Sequence, residues 1–223
     1  VTTKKSEKKA IIIIGAGHFG QRAAKLLNSA QHSSLWIVDR DVKSLNKIGA
    51  IGAKRIAQDG VHFLVKHFSH LAPSTFIIPA VPVHLAFEWL RNYLNKGAAT
   101  KPISVPKDFA PRLPHTWKGA DGSLLVSYAD FKCPEDCPEP AAFCTVTGKK
   151  RGIPLYGLLN RLEPQGFRMH VIRSQQLAPG VGGYRVRDLK ELLGKVSEGG
   201  EGKWLVGTAC KCHGVITAMQ VAQ

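Results

Sequence analysis

The sequence predicts an α/β protein built on a doubly wound parallel sheet and continued by a cysteine-rich α/β region toward its C-terminus. Three observations predict it. Residues Ala10 to Gly20 read Ala-Ile-Ile-Ile-Ile-Gly-Ala-Gly-His-Phe-Gly, a four-isoleucine run passing directly into G-x-G-x-x-G. Apolar runs of strand length then alternate with stretches of helical period as far as residue 95. All five cysteines fall in two tight groups of the second half, Cys133, Cys137 and Cys144, and Cys210 with Cys212.

Each element follows from its own residues. Four consecutive β-branched side chains make 10–15 a buried strand. Phe19, Ala23, Leu26 and Leu27 share one face of a helix over 18–28, which Asn28 and Ser29 end. Strands at 35–39, 53–57 and 75–80 then alternate with helices at 41–48, 60–68 and 82–95, the last closed by Gly97. Lys101 to Pro106 is a fifth strand or a sheet edge. Residues 111–122, rich in Pro, His, Trp, Gly and Asp, read as a linker. Beyond it the spacing predicts strands at 124–128, 166–173 and 204–206. Leu155, Leu158, Leu159 and Leu162 form a short helical face, and a longer helix spans 184–196. The chain divides into a dinucleotide-binding domain, 1–98, and a cysteine-rich α/β region, 99–223, which either extends the same sheet or forms its own body.

The glycine spacing carries chemistry. Gly15 allows a tight turn out of the strand, Gly17 lets the backbone approach a pyrophosphate, and Gly20 lets the next helix pack against the sheet with its free N–H groups toward phosphate. His18 and Phe19 fill the variable positions between them. Asp39 closes the second strand nineteen residues after Gly20, where a carboxylate takes the adenosine ribose hydroxyls, with Arg40 beside it. These are the marks of a Rossmann unit. S-adenosylmethionine sites also use a glycine loop and a ribose acid, but the third glycine, placed against the helix, favours NAD.

Residues Ala10 to about Leu94 resemble the TrkA-type NAD-binding domain, a regulatory module of potassium channels and transporters. The likeness lies in Ile-Ile-Gly-Ala-Gly-His-Phe-Gly-Gln-Arg and Val-Asp-Arg-Asp-Val-Lys-Ser-Leu. It implies Gly15, Gly17, Gly20 and Asp39 at the cofactor, with Asp59 near the adenine. Nothing beyond residue 98 resembles a transporter regulator, so the likeness implies the fold rather than the physiological role.

Composition narrows the classes of function. With 44% hydrophobic and 21% charged residues in 223, the chain is long enough for a sizeable core. Its longest apolar stretch, Thr75 to Leu90, is broken by Pro79, Pro82 and His84 and is too short for a membrane helix. The basic start, Lys4, Lys5, Lys8 and Lys9, reads as a flexible arm rather than a signal peptide, so a cytoplasmic protein is expected. The net charge of +15 is spread over both halves without basic residues interleaved with aromatics. That suits anionic cofactors or an acidic partner better than nucleic acid.

Clustered cysteines in a cytoplasmic chain point to metal or redox chemistry rather than structural disulfides. The prolines beside Cys133 and Cys137 supply the irregular backbone of an iron–sulfur site, which Cys210 or Cys212 could complete. Zinc would use the same thiols with His213, and thiols without metal are the third reading. Arg173 to Tyr184 contains Gly180, Gly182 and Gly183 between a predicted strand and helix, a candidate anion loop with Arg173, Arg185 or Arg187 as counter-charges, or a plain turn. His84 follows the fourth strand, where a nicotinamide could lie. The sequence therefore indicates an NAD(H)-binding oxidoreductase with a cysteine-ligated metal centre, iron–sulfur before zinc. The alternative is a non-enzymatic, redox-sensing regulatory module of the TrkA type. Expected partners are the dinucleotide, a small molecule or redox protein, and further copies of the chain.

Overall fold

The computed structural model describes residues 10–28, 34–49, 52–95 and 99–222. The basic arm, Ser29 and Gly97 lie outside them. The first part runs β1 (Ala10–Ile14), α1 (His18–Leu27), β2 (Ser34–Asp39), α2 (Val42–Asn46), β3 (Lys54–Ala57), α3 (Gly60–His67), β4 (Phe76–Pro79) and α4 (Leu85–Leu94). Strands β1 to β4 are parallel in the order β3-β2-β1-β4, with Ile13 opposite Ile37 on one side and Ile78 on the other. The isoleucine run is buried on both faces: Ile11 and Ile13 pack toward Ala23, Leu27 and Leu45, Ile12 and Ile14 toward Phe63, Leu64 and Leu90. Each such side chain contributes about 1.5–3 kcal/mol on leaving water, which is why an all-apolar rather than alternating pattern marks this strand.

The remaining elements are β5 (Ala99–Ile103), β6 (His115–Lys118), β7 (Leu124–Ser127), α5 (Leu155–Leu159), β8 (Arg168–Arg173), β9 (Gln175–Ala178), β10 (Val181–Arg185), α6 (Val186–Gly199), β11 (Gly202–Ala209) and β12 (His213–Ala222). Most of them form a second sheet, β6-β7-β12-β11-β8, with β5 also paired to β12. The hairpin β9–β10 instead joins the first sheet, where β10 runs antiparallel to β4. Helices α4 and α6 fill the space between the sheets: Trp89, Leu90, Leu189, Leu192 and Val196 share one core with Ile77 on one side and Trp204, Val206 and Met219 on the other. Helix α5 covers the far face of the second sheet with Leu155 and Leu159 over Val171, Leu205 and Ile216.

The doubly wound α/β sheet is as the sequence predicts, and the departures have local causes. The residues read as a linker contain β6, which pairs with β7 across the turn at Gly119 to Gly122. Residues 175–185 are a hairpin rather than a loop feeding a helix, because Gly180, at φ 71°, turns the chain back on itself. Helix α6 therefore starts at Val186, where the Asp188 carboxylate accepts from the Arg185 N–H at 2.7 Å. The last strand, β12, shows no clean period-two pattern in sequence because it is covered on both faces.

Candidate functional site

The glycine loop sits at the carboxyl end of β1, between β2 and β4, the switch point where doubly wound sheets bind their ligands. Gly15 has φ 106° and lies against the Ala80 carbonyl, while Gly20 lies against the Gly15 carbonyl, so a side chain at either would meet backbone. Gly17 differs. A Cβ there would meet no protein atom within 4 Å, which leaves room for a ligand at the start of α1. No side chain caps that helix, and its first N–H groups are available to an anion. Asp39 closes the arrangement from β2, its two oxygens accepting from the Ala16 N–H at 2.6 Å and the Asp41 N–H at 2.8 Å. Each oxygen retains accepting capacity for a ribose hydroxyl. Arg40 is exposed immediately beyond. These residues thus fit a dinucleotide: a close approach at Gly17, a helix N-terminus and a carboxylate at the second strand end. Asp59 caps α3 through the His62 N–H at 2.9 Å.

The cysteines come to the same end of the molecule. Cys133, Cys137 and Cys144 lie on the long loop between β7 and α5, and Cys210 and Cys212 lie in the tight turn joining β11 to β12. All five are half-buried free thiols lining one chamber of about 1020 Å³. Phe19 of α1 and Val181 and Gly182 of β10 line it too. The loop is fastened to the nucleotide side at three points. Glu135 meets His18 Nε2 at 2.9 Å, the Gly180 N–H donates to the Cys137 carbonyl at 3.1 Å, and Gln176 Nε2 donates to that carbonyl at 2.7 Å. Glu139 holds the other cysteine turn by accepting from the Lys211 N–H at 2.7 Å.

The thiols are not equivalent. The Thr147 hydroxyl, and then the Thr147 and Val146 N–H groups, hold Cys144 below the usual thiol range. Burial raises Cys133, and the charges of Cys137, Cys212 and Cys144 raise it further. Burial and the neighbouring Glu139 carboxylate push Cys210 up to about 12. Arg151 stands among the sulfurs, donating through Nη1 to Cys212 Sγ and through Nε to the Phe143 carbonyl at 3.0 Å. Among the described residues no three or more His, Cys, Asp or Glu side chains converge closely enough to hold a metal ion.

The structure also chooses between readings that the sequence left open at His84 and at the Gly180–Gly183 segment. His84 is 4% exposed, with Nδ1 at 3.0 Å from Thr217 Oγ1 and Nε2 at 2.9 Å from Thr208 Oγ1. Burial, opposed by Asp121, holds its pKa down to about 4, so it is a paired core histidine and not a proton donor to a nicotinamide. The Gly180–Gly183 segment takes the plain-turn reading: Gly180 turns the hairpin against Glu135, and Gly183 lies against the Ile77 carbonyl. The proposed counter-charges are engaged elsewhere, Arg173 over the Tyr156 ring, Arg185 over Phe76 and Arg187 beside Asp188. Sequence reasoning also missed Glu135, Glu139 and Arg151. Their only signal was position, two acids between or beside cysteines and a basic run ending at Arg151.

Fold and loop together define a Rossmann-type nucleotide-binding protein, and residues 11–65 match the TrkA-N domain, which supports NAD(H) as the dinucleotide. Residues 86–222 match the family described as AF_1314_C, "Uncharacterized protein, C-terminal domain". The chain belongs to that family. It is 33% identical over 222 residues to a protein of Archaeoglobus fulgidus bearing the name "Uncharacterized protein", with 95% of this chain and 99% of the relative covered. The likeness therefore extends across both the glycine loop and the cysteine groups. Among the described residues no helix is long and apolar enough to cross a membrane.

Proposed function

We propose that the protein is an NAD(H)-binding redox module in which the dinucleotide extends from the glycine loop toward the thiol chamber. The observation that supports this most directly is that Phe19, beside the pyrophosphate position, and Val181 and Gly182, on the strand next to β4, line the same chamber as all five cysteines. A dinucleotide crossing the switch point extends past β4 on that side. In this reading Gly15, Gly17, Gly20 and the start of α1 take the pyrophosphate, Asp39 accepts from the adenosine ribose, and His18, Phe19 and Arg40 flank the ligand. The nicotinamide supplies hydride transfer, while the chain orients it and limits water at its far end.

The second component is a cysteine-ligated metal centre, iron–sulfur before zinc, drawn from Cys133, Cys137, Cys144, Cys210 and Cys212. Its support is the gathering of thiols from two distant segments into one chamber. The separation of those thiols around Arg151 means that loading requires local rearrangement. A regulatory reading also has an observation in its favour: the His18–Glu135 contact ties the thiol loop to the dinucleotide loop, and the Gly180–Cys137 contact ties it to the hairpin on the same sheet, as a sensor requires.

Turnover separates the two. Anaerobic protein is titrated with NADH by calorimetry and then mixed with a one-electron acceptor while absorbance at the NADH band is followed. Consumption of NADH identifies the oxidoreductase, and tight binding without consumption identifies the sensor. Failure to bind NADH at all would remove both.

A further inference from the structure

We infer that the thiol chamber binds a small organic anion with an apolar body, of the class of a medium-chain carboxylate, and that Arg151 with Lys149 and Lys150 receives its charged head. The chemistry of this ligand rests on the lining of the chamber alone, and its role as the substrate facing the nicotinamide rests on the redox reading above.

The first argument is the apolar wall. Phe19, Tyr128, Val146 and Ile153 are left between 43% and 58% exposed, yet they come from α1 and from the loop between β7 and α5 to line one chamber. Uncovered side chains of this size mean little when scattered singly. Gathered on one concave surface, they mark a place that receives apolar matter. Phe131, Leu158 and Val181 continue the wall. The chamber's volume, about 1020 Å³, stands at the upper end of small-molecule sites, which run from about 300 to 1,000 Å³. A ligand of modest length therefore has room beside a nicotinamide ring.

The second argument is charge. Lys149, Lys150 and Arg151 are consecutive in sequence and all line the chamber, as do Lys132 and Lys211. Of the carboxylates on the same lining, Glu135 is engaged by His18 at 2.9 Å and Glu139 by the Lys211 N–H at 2.7 Å, while Asp130 is exposed. Among the described residues no ion pair joins Lys132, Lys149, Lys150 or Arg151 to a carboxylate. Arg151 is the best placed of them. Its Nε donates to the Phe143 carbonyl at 3.0 Å and its Nη1 to Cys212 Sγ, which sets the guanidinium in the chamber wall and leaves Nη2 for a ligand. A carboxylate there gains a charge-assisted hydrogen bond while its chain lies against the apolar wall. A cation would be repelled by the guanidinium and a neutral chain would leave it unanswered, so the lining selects an anion.

Sodium octanoate is the probe, with octanol and octylammonium as its neutral and cationic counterparts. The full-length protein is titrated with each by calorimetry, without and with saturating NADH. Octanoate should bind in both conditions at least about tenfold more tightly than octanol, and octylammonium should not bind. From butanoate to octanoate each added methylene should tighten binding by about threefold. Arg151→Gln and Ile153→Glu, the second at an exposed position of the wall, should each weaken octanoate at least about tenfold. Trp117→Glu, which alters a similarly exposed apolar side chain outside the chamber, should leave it unchanged. Thermal melts identify any variant that fails to fold, and the chain-length series on the wild-type protein stands without them. Equal binding of octanol or octylammonium, affinity independent of chain length, or undiminished binding in both chamber variants overturns the site. Displacement of octanoate by NADH overturns its place beside the nicotinamide. Octanoate binding as expected in a protein that does not bind NADH upholds the site and removes the redox reading, and NADH binding without octanoate binding overturns the site and leaves that reading in place.

Discussion

The nucleotide loop and the thiol chamber lie side by side but are made of different material. The loop is backbone: three glycines, a helix N-terminus and a strand end, held by a core that Ile12, Ile14, Ile77 and Trp89 fill. The chamber is side chain: five sulfurs, a guanidinium and two carboxylates carried on loops whose own packing is thin. A site made of backbone inherits the rigidity of the sheet beneath it and fails when a side chain intrudes. A site made of side chains on loops can rearrange, and it fails when a single donor is lost.

The sharpest way to break the contrast is to add carbon to the loop. Gly20→Val would drive its Cβ into the Gly15 carbonyl, which cannot move without distorting β1. The expected loss is more than about 4 kcal/mol of stability, together with all NADH binding. Gly17→Ala places its Cβ in open space, so denaturation should move by less than about 1 kcal/mol while NADH affinity falls at least about tenfold. Equal damage from both in urea melts would mean that the loop is only a turn.

Next in size is the buried histidine between the sheets' domains of chemistry. His84→Ala leaves the hydroxyls of Thr208 and Thr217 without their ring partner and opens a cavity, an expected cost of about 2–4 kcal/mol. The wild-type pH profile carries the same residue. Its folded pKa, about 4, is depressed below its ordinary 6.5, so its contribution is full above pH 6.5 and is lost as pH falls toward 4. The total is about 3 kcal/mol. Chemical denaturation at neutral and acid pH, with and without His84→Ala, should show that window narrow in the variant. A variant with unchanged stability and lost NADH oxidation would instead make His84 catalytic.

Cofactor choice is a smaller effect. Asp39 should repel a 2′-phosphate, giving NADH at least about tenfold tighter binding than NADPH. Parity in calorimetry would mean that Arg40 dominates. Smallest is Glu135→Gln, which removes a negative charge near the pyrophosphate position. NADH affinity should rise severalfold with thermal stability unchanged, because the His18–Glu135 pair is exposed. An unchanged affinity would separate the thiol loop from the dinucleotide.

The same contrast explains what could be read from the sequence. Gly15, Gly17, Gly20 and Asp39 are legible because a strand–turn–helix fixes chemistry to spacing within thirty residues. The two cysteine groups were expected together from their clustering, but the place of each sulfur in the chamber depends on how β7, α5 and the β11–β12 turn fold together. Asp121 and Thr217 reach His84 only through the second sheet, so its burial left no local trace. The Gly180 segment stayed open between two readings for a related reason: glycines at a hairpin tip and glycines around a phosphate look alike until the strand partners are known.

The pairing of β10 with β4 has a consequence for how the chain is made. The edge of β4 is covered by a strand that begins at Val181, about a hundred residues after β4 itself. During synthesis at roughly 5–20 residues per second, the isoleucine-rich sheet therefore leaves the ribosome with one side open for on the order of ten seconds. An uncovered apolar strand edge is a template for pairing with another chain. The nucleotide-binding sheet is thus begun first but closed only when the β9–β10 hairpin arrives, shortly before the second sheet receives its own last two strands.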